Sequence, residues 1–117
     1  MDKTFQDRVH NWVLACFGEE VAMDAVERNR RFLEESLELV QSLGASREFA
    51  HELVDYVFSR PKGDAPQEVG GVMVTLASLC ATHGIELEQE AHKELSRIDS
   101  SEIIAKIRAK HARKPQF

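Results

Sequence analysis

Apolar residues in this chain recur three and four positions apart, and period-two alternation is absent. That rhythm excludes a half-buried sheet and selects amphipathic helices, cut to length by Gly and Pro. A first helix is expected over about 4–17, with Phe5, Val9, Trp12, Val13, Cys16 and Phe17 on one stripe, Thr4 as N-cap and Gly18 as terminator. A second is expected over about 20–43, carrying Val26, Leu33, Leu37 and Val40 and ending at Gly44. Ser46 opens a third over about 47–59. After Pro61-Lys62-Gly63, Asp64 with Gln67 reads as the capping box of a fourth over about 65–83. Gly84-Ile85 suits a Schellman ending. A short fifth helix over about 87–97 follows, and Asp99 with Glu102 is expected to cap a last one. The expectation is one all-α domain over residues 1–117, a bundle of about five to six helices.

Composition narrows the class. With 117 residues, 43% hydrophobic and 30% charged, the chain is long enough for one modest core and too apolar for disorder. No apolar run approaches the ~20 residues of a membrane helix, so no membrane association is expected. Met1-Asp2-Lys3 lacks the apolar core of a signal peptide, which makes the cytoplasm the expected location. Cys16 and Cys80 fall on apolar stripes and read as small hydrophobes rather than as a disulfide or metal pair. Wide apolar faces on the second and fourth helices point to a homo-oligomer.

Charge is unevenly placed. Five of the 15 basic residues and no acidic one lie between Lys106 and Lys114, leaving 10 basic against 20 acidic residues in 1–105. An acidic body argues against general nucleic-acid binding. The basic C-terminal helix or tail, about 100–117, suits phosphate contact through Lys110 and Arg113, or a solvated helix end paired with the dipole.

The acids themselves have positions. Glu34, Glu35 and Glu38 are spaced three and four apart, so all three project from one side of the second helix. Carboxylates so spaced suit a hard divalent cation such as Mg²⁺; they equally suit a solvated face in which Arg31 pairs with Glu27, Glu34 or Glu35. Glu68 lies in the first turn of the fourth helix, where the dipole also favours an acid. Gly70-Gly71 beside it costs about 2 kcal/mol of helix propensity, a cost consistent with close helix approach or with space left beside a ligand.

Glu34-Glu-Ser-Leu-Glu38, and then Glu68-Val-Gly-Gly71 running into a long apolar helix and a Gly-Ile-Glu-Leu-Glu turn at 84–88, resemble the MazG-like all-α nucleoside triphosphate pyrophosphatases. That family is marked by Glu-Glu-x-x-Glu on one helix and Glu-x-x-Asp at the start of an antiparallel one. The resemblance covers roughly residues 20–98. It implies Mg²⁺-dependent (or Mn²⁺-dependent) hydrolysis of a nucleoside triphosphate to the monophosphate and pyrophosphate. Glu35, Glu38 and Glu68 would be metal ligands, and Glu34 a further ligand or the group that orients the water. The family's Asp position is Gly71 here, which offers no carboxylate. Glycine there enlarges the site, lets water complete the shell, or marks a member without catalysis. Glu52-Leu-Val-Asp55 is a literal Glu-x-x-Asp; it ranks behind Glu68 because Pro61 soon ends its helix, but Asp55 or Glu52 remains a candidate for the fourth carboxylate.

Trp12 is the candidate for stacking on a base, against a plain role as anchor of the first helix. A second reading keeps the scaffold as a catalytically silent helical oligomer that binds or regulates. A third keeps the enzyme and changes the substrate to a phosphoribosyl-ATP-like nucleotide.

Overall fold

The computed structural model describes residues 3–114. Met1, Asp2 and residues 115–117, which include the end of the expected basic tail, lie outside them. The described residues form six helices and no strand: α1 (Phe5–Ala22), α2 (Ala25–Ser42), α3 (Arg47–Phe58), α4 (Ala65–Thr82), α5 (Leu87–Ile98) and α6 (Ser101–Ala112). Among the described residues no single helix is long and apolar enough to cross a membrane. The chain divides into two compact units, one of Met1–Asp24 with Thr75–Phe117 and one of Ala25–Val74, so that α4 starts in the second and ends in the first.

Local chemistry explains the helix ends. Thr4 caps α1 through its hydroxyl, which accepts from Asp7 N at 3.1 Å, while the Asp7 carboxylate accepts from Thr4 N at 3.4 Å. Each satisfies a donor that the first turn would leave unpaired. Gly18 leaves the helical region (φ 83°, ψ 174°) and closes the first helical stretch as expected; a second short stretch follows across the kink, ending at Ala22 with Met23 as C-cap. Residues 19–22 therefore belong to α1 beyond its kink, and α2 starts at Ala25 rather than at about 20. Ser46 caps α3 by accepting from Phe49 N at 3.1 Å, and Asp64 accepts from Gln67 N at 3.2 Å at the head of α4.

Two helices end in matching Schellman turns. Ala45 N donates to Val40 O at 2.9 Å and Gly44 N to Gln41 O at 3.0 Å; Ile85 N donates to Cys80 O at 2.9 Å and Gly84 N to Ala81 O at 3.3 Å. Both turns need a left-handed residue, which glycine supplies without a Cβ clash. At the last junction the cap differs from expectation. Asp99 terminates α5, and Ser100 caps α6 by accepting from Ile103 N at 3.3 Å. Ser100 is extended (φ −144°), which aims its short hydroxyl at that amide.

The unit of α1, the end of α4, α5 and α6 has a small core of Val13, Cys16, Cys80 and Leu95. Within it α1 packs on α6 and α6 on α5. Trp12 Nε1 donates to Ile98 O at 2.9 Å, tying α1 to the end of α5, and its indole meets Phe17 edge-on. Phe17 in turn lies 4.7 Å from the His111 ring on α6, and Phe5 lies 5.2 Å from His92 on α5. Trp12→Phe keeps the ring and removes the donor, leaving a carbonyl unpaired. It is expected to destabilise the protein by about 1 kcal/mol, read as a lower thermal midpoint.

Cys16 and Cys80 are free thiols, both buried. Burial pushes the Cys16 thiol above its ordinary value; Arg108 nearby opposes the rise and Asp99 adds to it. A raised folded-state value means that the folded protein holds this proton more tightly than the unfolded chain does. The associated stability is fully present below the ordinary thiol value of 9.0 and is lost as pH climbs past it. Native Cys16 is accordingly expected to resist maleimide at neutral pH and to react at once in denaturant; fast native labelling at this residue would contradict its burial.

The unit Ala25–Val74 is built differently. Its one buried residue among those described is charged, Glu27. Glu27 accepts from Arg28 and lies 3.0 Å from Arg31 Nε. Most of its large apolar side chains are exposed, on all three of its helical segments, while Leu39, Val40 and Leu43 are half-buried.

Candidate functional site

Residues 34–38 fall within the regular part of α2, so the three carboxylates do share one side of a helix. Glu34 is half-buried, while Glu35 and Glu38 are exposed. Arg31 organises this end of the face: its Nη1 donates to Glu34 Oε1 at 3.0 Å and its Nε lies 3.0 Å from Glu27 Oε1. An arginine one turn before Glu34 fixes that carboxylate and offsets repulsion along the acidic run.

Glu68 occupies the first turn of α4, and its side chain turns back over the preceding loop. A Cβ built on Gly63 would lie 2.9 Å from Glu68 Oε2. Gly63 thus leaves the space that the carboxylate occupies at the start of its own helix, where the dipole favours it. Glu52 and Asp55 are exposed on α3. Among the described residues no three His, Cys, Asp or Glu are placed to hold a metal ion together. The donor type suits a hard cation, but the chain by itself does not bring Glu68, Glu52 or Asp55 to the α2 carboxylates as a ligand set.

Gly70 and Gly71 have no neighbour within 4 Å of an added Cβ. Close approach of another helix of the same unit therefore does not account for them. Trp12, the stacking candidate, uses its indole N–H within its own unit, on Ile98 O. Lys110 and Arg113 are exposed at the end of α6, where Arg113 is the C-cap.

Two residues with clear work went unread in the sequence. Arg108, counted only as part of the basic run, donates through Nε to Cys16 O at 2.6 Å and through Nη2 to Ala15 O. These carbonyls come just before the break at Gly18, where α1 loses its continuing hydrogen bonds. Glu27, noted only as one partner for Arg31, is the buried anchor of the α2 charge network. The glycine interruption of α1 was a signal that some donor must serve the carbonyls before it; nothing in the sequence said that the donor lay some 90 residues later.

No family model, curated protein or solved structure matches the chain.

Proposed function

We propose that this chain is a helical nucleotide pyrophosphohydrolase of the MazG-like kind, converting a nucleoside triphosphate to the monophosphate and pyrophosphate in nucleotide-pool house-cleaning in the cytoplasm. The observation that carries the proposal is the Glu34, Glu35 and Glu38 face of α2, with Glu34 held by Arg31. In this reading Glu35 and Glu38 would hold Mg²⁺ or Mn²⁺ through their carboxylate oxygens, and Glu68, which the chain by itself does not place with them, would have to swing from Gly63 to join. The bound cation would offset charge on the triphosphate and lower the pKa of its water. Glu34, fixed by its arginine, orients the attacking water, and Lys110 and Arg113 supply positive charge for phosphate. The acting form is a homodimer or homotetramer.

A second reading has its own support. Gly71 provides no carboxylate and no three acids converge among the described residues, which favours a silent helical oligomer with a binding or regulatory role. Pyrophosphate release separates the two. The panel should hold the common and modified nucleoside triphosphates and a phosphoribosyl-ATP, each with Mg²⁺ and with chelator. The enzyme reading expects turnover of at least one that stops on chelation; no turnover of any leaves the silent module.

A further inference from the structure

Arg31 has acids within reach on both sides, and helix geometry does not favour the partner it takes. At about 100° per residue, Arg31 lies about 40° around α2 from Glu35 and about 60° from Glu34. Three- and four-residue spacings both allow an ion pair, yet its Nη1 donates to Glu34 Oε1 at 3.0 Å. The deciding group is Glu27, which lies about 20° from Glu34 and on the same side of Arg31. Glu27 is 8% exposed, and two arginines divide its carboxylate. Arg28 donates to Oε2 through Nε at 2.8 Å and through Nη2, while Arg31 Nε lies 3.0 Å from Oε1. Stripping a buried charge of a partner costs far more than an exposed pair one turn away returns. The buried acid therefore fixes Arg31 first. With Nε facing Glu27, the planar fork presents Nη1 on that same side, at Glu34.

We propose that Glu27 is a positioning residue: by holding Arg31 it turns the guanidinium onto Glu34 and keeps it off Glu35. It thereby divides the acidic face of α2 into one carboxylate fixed by arginine, Glu34, and two assigned to the cation, Glu35 and Glu38. The inference deepens the enzyme reading above and rests on its assignment of Glu35 and Glu38 to Mg²⁺ or Mn²⁺. Without Glu27, Arg31 is released to the acid nearer to it around the helix. It then competes with the cation for the Glu35 oxygens, and Glu34 loses the contact that orients it.

The test is a double-mutant cycle on the full chain with Mn²⁺ alone and no nucleotide, with affinity read from the electron paramagnetic resonance of free Mn²⁺. It compares wild type, Glu27→Gln, Arg31→Gln and the double variant. Glu27→Gln should weaken Mn²⁺ binding about fivefold while Arg31 is present. In the Arg31→Gln background it should change little, because the loss comes from Arg31 moved onto Glu35. In the metal-free protein, nuclear Overhauser contacts of the Arg31 side chain should pass from Glu34 to Glu35 in Glu27→Gln. An equal loss in both backgrounds means that Glu27 acts through its charge alone and overturns the proposal; so does an affinity that Glu27→Gln leaves unchanged. If Glu27→Gln does not fold, Glu27→Asp takes its place in the cycle. It keeps the charge beside Arg28 and draws it back from Arg31, so a smaller loss that again depends on Arg31 is expected, and no loss overturns the proposal. Wild type that binds no Mn²⁺ removes the metal reading and this role with it. Binding by wild type without coupling between positions 27 and 31 removes the role alone, so the two failures are told apart.

Discussion

Glu38→Gln is expected to lower Mg²⁺-dependent pyrophosphate release by at least about 100-fold while leaving the far-ultraviolet circular dichroism and the thermal midpoint near wild type. The substitution keeps the size of the side chain and its helix propensity and removes one formal charge. Glu38 is exposed, so no packing is lost. An oxygen donor to a hard cation is another matter, since the amide binds it far more weakly than the carboxylate and the loss falls on both cation affinity and turnover. Measuring kcat against Mg²⁺ concentration divides the two, because a ligand defect is partly recovered by excess cation. Full activity in Glu38→Gln would remove the α2 face from the chemistry and leave the silent-module reading.

Gly71→Asp provides the reciprocal experiment. An added Cβ at 71 meets nothing within 4 Å, so the side chain enters open space without cost to the fold. If the helix lacks only the carboxylate that the resemblance would place there, the substitution should raise Mg²⁺-dependent turnover. A fall in turnover would indicate that the space itself holds the substrate.

Arg108→Ala carries the largest expected effect on stability, about 2 kcal/mol, or roughly 10 °C in thermal midpoint for a unit of this size. Its guanidinium donates to two successive carbonyls, Ala15 and Cys16, ahead of the Gly18 break. Alanine strands both acceptors and removes one tie between α1 and α6, leaving the Phe17–His111 contact. Lysine is expected to recover only part of the loss, because a single ammonium cannot present the planar fork that reaches both oxygens. Circular dichroism melts of the three proteins check the order. A midpoint for Arg108→Ala within about 2 °C of wild type would mean that water serves those carbonyls as well. Because the buried Cys16 reacts only through opening, the same variant is also expected to label faster than wild type under native conditions.

What the sequence determined by itself was local. Helical periodicity specified the all-α class and the number of segments, because the contacts that make a helix lie within four residues. The caps at Thr4, Ser46 and Asp64 and the turns at Gly44 and Gly84 were readable for the same reason. So was the shared face of Glu34, Glu35 and Glu38, which follows from helix geometry alone. Even local reading failed where two short polar residues competed, as Asp99 and Ser100 did for the head of α6, and where the short stretch after Gly18 joined α1 rather than α2.

Tertiary structure decided everything that depends on distance along the chain. Arg108 looked like one charge among five until it met carbonyls on α1, and nothing local said that the Trp12 indole N–H would reach Ile98 O. The same holds for Glu68: its position in the first turn was legible, but the direction of its carboxylate, back over Gly63, depends on space that only the folded loop defines. Apolar stripes on α2 and α4 announced that they needed cover, since burial of such area is what drives folding. Periodicity says which side of a helix is apolar and is silent on what meets it; the fold showed that in Ala25–Val74 the chain itself leaves that side uncovered.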